Sequence, residues 1–318
     1  MTSCGDPSER IIIATDEITQ ITDNSAVGGG IIVYGSYEGN TERGLVWDTD
    51  SDPSINNYTG KSSINTGINE YTLPMEELEP DTEYYIRAYV VHGSEVSYGN
   101  ERSFRTFYDE ITDIDGNIYY TIKAGNQEWI STNLKTGRYR NGDSIPGVKL
   151  SSNWGMMETG GMVVYNNDPD LQQVYGNLYN FYAVIDERGL CPAGWRVPTD
   201  GDWNKLEIFL GMDPETSLKT GLRDKYVGGM LKETGTDHWL APNMIAMDLI
   251  GFSDIPGGYR HPRGQFYSLG RNSNSWTSTS HDEQNAWYRN IYFNNGGVYR
   301  GIFTKNSGFS VRCIKNKE

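Results

Sequence analysis

The sequence predicts two domains in series, an all-β domain followed by an α+β domain. Three observations carry that reading. A length of 318 residues suits about two domains. Residues 11–106 hold short runs rich in Ile, Val, Tyr and Thr, separated by clusters of Gly, Asn, Asp and Pro. Beyond residue 113, two stretches with helical apolar spacing stand among Gly-punctuated strands. The 37 glycines and 22 tyrosines, with few long apolar stripes, favour strands and loops throughout.

Residues 1–9 read as a polar tether. The first domain, 10–107, places strands near 30–34, 44–47, 83–91 and 101–106. In the third of these, Tyr84, Ile86, Ala88 and Val90 alternate with Tyr85, Arg87, Tyr89 and Val91, so one set faces a core. The second domain, 112–316, opens with Asp115-Gly116, a turn dipeptide between alternating runs, which predicts a hairpin over Trp129 and Leu134. Residues 142–170 read as loop. Leu178, Phe181, Tyr182 and Ile185 share helical spacing and predict one short helix over 175–185. Thr199 is an N-cap with Asp200 and Asp202 in the first turn, and Trp203, Leu206, Phe209 and Leu210 give the helix an apolar stripe up to Gly211. A variable middle, 212–243, precedes Gly-punctuated strands over 251–314.

Several segments resemble known families. "LEPDTEYYIRAYVVHGSEVSYGNERSFRT" resembles a fibronectin type III module, whose Leu-x-Pro-x-Thr-x-Tyr corner is matched here by Leu78, Pro80, Thr82 and Tyr84. The resemblance implies a β-sandwich in which the Tyr84 hydroxyl ties the corner to nearby backbone. "RGLVWDTDSDPSI" matches the variant of this module common in secreted Bacteroidetes proteins. The segments "TDIDGNIYYTIKAGNQEWISTNLKT", "YGNLYNFYAV", "GLCPAGWRVPTDGDWNKLE" and "GFSVRCIK", in that order, resemble the Fibrobacter succinogenes major paralogous domain family of secreted and surface proteins. The third and fourth also resemble the corner and closing strand of formylglycine-generating-enzyme-like proteins. That likeness implies a C-type-lectin-like fold: two short helices, a twisted antiparallel sheet, and long loops that carry the binding surface.

The start, "MTSCGDPSE", resembles a bacterial lipoprotein whose signal has been removed, with Cys4 as the lipid-bearing residue. The expected location is the cell surface, at the outer membrane. In the C-type-lectin-like arrangement the last strand lies near the helical region, which implies a disulfide between Cys191 and Cys313; secretion permits it, and a lipidated Cys4 leaves these two to pair. The rival role for Cys191, a thiolate activated beside Arg196, lacks a base, because His92, His238, His261 and His281 share no motif with it.

A net charge of −15 argues against nucleic acid and against direct docking on an anionic membrane, leaving a lipid anchor as the membrane contact. No catalytic residue is assigned. The working cysteines of formylglycine-generating enzymes are missing from "SWTSTSHDEQNAWYRNIYF", and no metal-ligating His cluster or phosphate loop appears. No cofactor is expected. Calcium could draw on loop Asp and Asn oxygens, for instance those of Asn166, Asn167, Asp168 and Asp170, but no EF-hand spacing supports it.

The last sixty residues mix Tyr, Trp, Asn, Arg and Ser, a palette suited to recognition and to sugars, whose apolar faces stack on aromatic rings. The ligand-binding candidates are Tyr259, Arg263, Tyr267, Trp287, Arg289, Tyr292, Asn294, Asn295, Tyr299 and Arg300. Trp276 and Phe309 read as packing residues, Trp287 is open to either role, and Asn294-Asn295-Gly296-Gly297 is also a good hairpin turn. The function expected is a non-enzymatic surface binding or adhesion lipoprotein that recognises glycan or protein. The alternatives are a polysaccharide-acting enzyme, for which Asp200, Asp202 and Asp254 are the candidate carboxylates, and a structural part of a surface assembly.

Overall fold

The computed structural model describes residues 11–35, 42–65 and 69–316. Cys4 and the 1–9 tether lie outside the described residues. The chain divides into two compact units, Met1–Asp109 and Glu110–Glu318.

The first unit contains β1 (Ile12–Thr15), β2 (Ala26–Tyr34), β3 (Arg43–Asp48), β4 (Gly60–Ile64), β5 (Glu70–Met75), β6 (Glu83–His92), β7 (Glu95–Tyr98) and β8 (Arg102–Arg105). One sheet runs β1-β2-β5; the other runs β4-β3-β6-β7, with β8 also paired to β6. Their inner faces share one core, which joins Ile13, Ile32, Tyr71 and Met75 to Leu45, Trp47, Ile86 and Ala88. The unit is therefore a β-sandwich. Of the two alternating sets on β6, Tyr84, Ile86, Ala88 and Val90 form the core side. The expected corner is present: the Tyr84 hydroxyl accepts a hydrogen bond from the Glu79 amide at 3.0 Å.

The second unit opens with β9 (Asp109–Thr112), β10 (Ile118–Ala124) and β11 (Gln127–Ile130). The predicted turn at Asp115-Gly116 joins the adjacent β9 and β10, and the Asp113 carboxylate fastens it by accepting from the amides of Asp115 and Asn117. Trp129 and Leu134 are fully buried. Next come α1 (Ser151–Trp154), β12 (Met162–Val163), α2 (Asp170–Tyr175), β13 (Leu178–Tyr179), α3 (Phe181–Val184), β14 (Trp195–Arg196) and α4 (Asp200–Phe209). The unit continues through α5 (Pro214–Ser217), β15 (Gly221–Arg223), α6 (Val227–Leu231), β16 (Gly257–Arg260), β17 (Phe266–Leu269), β18 (Asn272–Ser280), β19 (Asn285–Tyr292), β20 (Val298–Thr304) and β21 (Ile314–Lys315). A five-stranded sheet has the order β14-β21-β11-β10-β9, a six-stranded sheet the order β15-β20-β19-β18-β16-β17, and β12 pairs with β13.

Three expectations are corrected here. The single helix over 175–185 is two short helices with a strand between them. Gly176 stops α2 at φ 74° and ψ −166°, a conformation reserved for glycine. Asn177 then spends its buried amide on the carbonyls of Lys135 and Thr136, and Asn180 caps α3 by accepting from the Ala183 amide. The domain has six α-helical segments among its described residues rather than two. Its large sheet is not wholly antiparallel, because β16 runs parallel to β18 at Gly258 and Ser273. Helix α4 does follow the sequence. Thr199 caps it, and Asp202 closes a capping box by accepting from the Thr199 amide at 2.9 Å.

Candidate functional site

Strands β18, β19 and β20 set the site through alternation. Successive side chains on a strand point to opposite faces, so Trp287, Arg289 and Ile291 share one side of β19, and Tyr288, Asn290 and Tyr292 the other. The register carries this across the sheet: Arg289 stands opposite Arg300, and Asn290 opposite Tyr299 and Asn274.

The arginine face is closed. Arg289 and Arg300 both bind the Asp200 carboxylate, with Arg289 Nη1 and Arg300 Nη2 each 2.7 Å from an oxygen. Arg289 also reaches Glu207 at 2.6 Å and Asn204 at 2.7 Å, and Arg223 holds Glu207 through two bonds of 2.8 Å. Burial pushes the Asp200 carboxyl up, but the bonds and charges of Arg300 and Arg289 outweigh it, and Asp200 titrates below the usual carboxylate range. Trp287, half-buried, lies over the Arg300 guanidinium at 3.8 Å. Arg289 and Arg300 were expected on a ligand surface; both are buried anchors between the sheet and α4. The sequence did not disclose why: α4 buries a second stripe, Asp200, Asn204 and Glu207, beside the one that carries Trp203 and Leu206.

The other face is open and aromatic. Tyr259, Tyr292, Tyr299 and Phe303 are half-buried and Tyr267 is exposed. They surround buried Tyr288 and Phe309, with ring centroids 5.6 Å apart for Tyr259–Tyr267, 5.9 Å for Tyr288–Tyr299 and 6.5 Å for Tyr292–Tyr299. Four sequence candidates thus converge. In the same row stands Asn290, 5% exposed, whose side-chain oxygen has no hydrogen-bond partner. A buried amide oxygen left unmet costs about 1–3 kcal/mol. The sequence reading missed Asn290, although its place between Tyr288 and Tyr292 at a spacing of two was visible.

Two structures hold this face in place. Asn294 and Asn295 lie in the β19–β20 turn, where Asn295 accepts from the Gly297 amide at 2.7 Å. Buried Lys232 donates to the carbonyls of Tyr292 at 3.2 Å and Asn295 at 3.1 Å from below, and burial draws its ammonium down to about 8. Cys191 and Cys313 form a disulfide with Cα atoms 6.0 Å apart, as expected. The bond ties the segment before α4 to the strand that leads into β21. Arg140 braces that segment by donating to the carbonyls of Cys191 and Trp195. Arg196 pairs with Asp202 at 2.7 Å, so the corner before α4 is a structural joint.

A groove of about 550 Å³ adjoins the aromatic face. Phe303 belongs to both, and His261, Arg263, Glu283, Asn285 and Asn306 are among its other lining residues. Arg263 was a sequence candidate; the other five were not. Asn166, Asp168 and Asp170 are exposed, and Asp168 accepts from the Asp170 amide in a local turn. Among the described residues no three His, Cys, Asp or Glu side chains are placed to hold a metal, and no helix is long and apolar enough to cross a membrane.

The Fibrobacter succinogenes major domain matches residues 122–315, from β10 to β21. The chain belongs to that family. The match spans more than half of the chain, and both the tyrosine face and the groove lie in the Fibrobacter succinogenes major domain. No curated protein matches the chain. Among solved structures, the sensor domain of the anti-sigma factor RsgI4 of Pseudobacteroides cellulosolvens is similar at 18% identity and a TM-score of 0.25, over 31% of this chain and 96% of that one. The fibronectin type III domain of human fibronectin type III domain containing protein 3 is similar at 15% identity and a TM-score of 0.24, over 34% and 94%. The β-sandwich assignment itself rests on the pairing of β1 to β8.

Proposed function

We propose that this chain is a non-enzymatic surface-binding lipoprotein whose C-terminal domain recognises a saccharide on its tyrosine face. The observation that carries the reading is four partly exposed tyrosines on one face, with Tyr292 and Tyr299 beside the buried Asn290, whose amide oxygen has no partner. Tyrosine rings offer flat apolar area to the C–H face of a sugar, and their hydroxyls and the Asn290 oxygen meet sugar hydroxyls. The family context supports placement outside the cell, as does the disulfide, which suits an oxidising compartment. The Ser3-Cys4-Gly5 start supports a lipid anchor on Cys4. We read the domain as C-type-lectin-like, because its last strand, β21, lies between β14 and β11 and is tied by the disulfide to the segment before α4. The two carboxylates weighed for catalysis at the corner, Asp200 and Asp202, are both committed to arginines.

A glycan array with the soluble chain lacking Cys4 tests the proposal, alongside a Tyr292→Ala/Tyr299→Ala variant and a Trp287→Ala variant. Binding that is lost in the tyrosine variant and kept in the Trp287 variant is the expected result. Binding kept in both would move the site off this face. An array with no binding to the intact chain would overturn saccharide recognition and favour a protein partner.

A further inference from the structure

The groove beside the tyrosine face contains an arginine with nothing to hold. Every other described arginine of the C-terminal unit has its guanidinium engaged. Arg196, Arg223, Arg289, Arg300 and Arg312 meet carboxylates, Arg140 and Arg260 meet backbone carbonyls, and Arg271 lies over the Phe293 ring. Arg263 is exposed at the tip of the β16–β17 hairpin, and no carboxylate, carbonyl or ring takes its guanidinium. In a chain with 42 acidic and 27 basic residues, an unpaired arginine on an aromatic-lined groove stands out.

The hairpin tip is built rather than loose. The Gly264 amide donates to the His261 carbonyl at 2.7 Å, and the His261 amide donates to the Gln265 carbonyl at 2.8 Å. The Arg263 amide donates to His261 Nδ1 at 3.1 Å. That bond makes Nδ1 the acceptor, so the neutral ring carries its proton on Nε2 and has a donor to spare. Burial and the neighbouring Arg263 charge both lower the basicity of His261, which keeps the ring neutral at pH 7. Its ring lies edge-on to Tyr267 and Phe303, at 6.2 Å and 6.5 Å, which joins the hairpin to the aromatic row. Arg263 and His261 thus offer donors at one end of the groove. Glu283 and Asn285 line it with acceptor oxygens.

We propose that the groove takes an acidic saccharide, its ring carboxylate on Arg263, its sugar face on Phe303 and the adjoining tyrosines, and its hydroxyls toward Glu283 and Asn285. The guanidinium fork matches a carboxylate with two parallel hydrogen bonds, a fit that a hydroxyl cannot reproduce. The overall charge of −15 opposes an anionic ligand at long range, but at physiological salt that repulsion fades beyond about 8 Å and leaves the local contact to decide. This inference rests on the saccharide reading above and adds the class of sugar to it.

Calorimetry on the soluble chain separates the two. The probes are a galacturonate hexasaccharide with its carboxyl-reduced counterpart, and sialyllactose with lactose; the pairs distinguish a uronate from a sialate. At least one acidic probe should bind about tenfold or more tighter than its neutral partner. Arg263→Gln should erase that preference without moving Tm, and Arg263→Lys should keep part of it. Equal affinity for both members of each pair, or a preference that survives Arg263→Gln, overturns the acidic assignment and leaves a neutral saccharide site standing. If neither pair binds while the array detects neutral glycans, the acidic assignment also falls. If no saccharide of any kind binds, both readings fall together.

Discussion

Arg289 and Arg300 face each other across the β19–β20 ladder, and both clasp the carboxylate of Asp200 at the start of α4. Two like charges on neighbouring strands would repel if left alone. Here Asp200 and Glu207 lie among Arg289, Arg300 and Arg223, so the cluster alternates in sign and is buried throughout.

Asp200→Asn breaks this joint. It leaves two buried guanidinium groups short of a charge, a change that costs about 3–5 kcal/mol. Urea unfolding should show the midpoint fall accordingly. A loss below about 1 kcal/mol would mean that the cluster is solvated in solution. Any saccharide affinity measured where the variant is still folded should be retained, because Asp200 lies behind the opposite face of the sheet.

Asn290→Val sets stability against binding. The substitution removes an unmet buried oxygen and suits a strand, so stability should stay within about 1 kcal/mol of the native chain. Saccharide affinity should drop about fivefold, the equivalent of one hydrogen bond. A variant that binds normally would show that the amide plays no part in recognition.

The disulfide joins residues 122 apart in sequence. In the chain-entropy account a loop of that length is worth at most about 5 kcal/mol. Reduction, or Cys191→Ser with Cys313→Ser, should lower the Tm of the C-terminal domain clearly. Peptide mapping without reductant should recover the two cysteines in one linked fragment; finding Cys191 alkylated in the folded chain would contradict the structure.

Asp254 gives stability an unusual pH dependence. Its buried carboxyl is pushed up by desolvation to about 6, with Arg312 3.4 Å away opposing the shift. The folded value lies above the unfolded one, about 3.9. Its contribution is therefore fully present below pH 4 and lost as the pH rises through 6. Asp254→Asn removes this titration but also takes the carboxylate from buried Arg312, a cost present at pH 7. The stability difference between variant and native chain should therefore move in the variant's favour between pH 4 and 7, by on the order of 2–3 kcal/mol. Parallel denaturation curves at pH 4, 5.5 and 7 check this, and a difference that stays constant with pH would rule it out.

Much of the fold was legible because the signals are local. The alternation on β6, the Thr199 cap with Asp202 three residues on, and the Asp115-Gly116 turn are each complete within a few residues. The 175–185 segment misled because Leu178, Phe181 and Tyr182 have helical spacing by coincidence. Gly176 and the buried amides of Asn177 and Asn180 overrule it through partners about twenty to forty residues away.

At the candidate site the division is sharper. The sequence by itself determined the composition of β19 and β20 and the parity that puts Trp287 and Arg289 on one side and Tyr288, Asn290 and Tyr292 on the other. Only the tertiary structure decided which side meets water. Helix α4, some eighty residues earlier, brings Asp200 and Glu207 against the arginines and buries them. The tyrosine row keeps an open edge and a groove beside it, with Arg263 at its rim. The physical reason is that strand alternation is set by the backbone of the strand itself, whereas burial depends on what a distant segment brings to the face. Charge pairing chose the arginine face for burial, because those guanidinium groups could be desolvated only against carboxylates that α4 alone supplies.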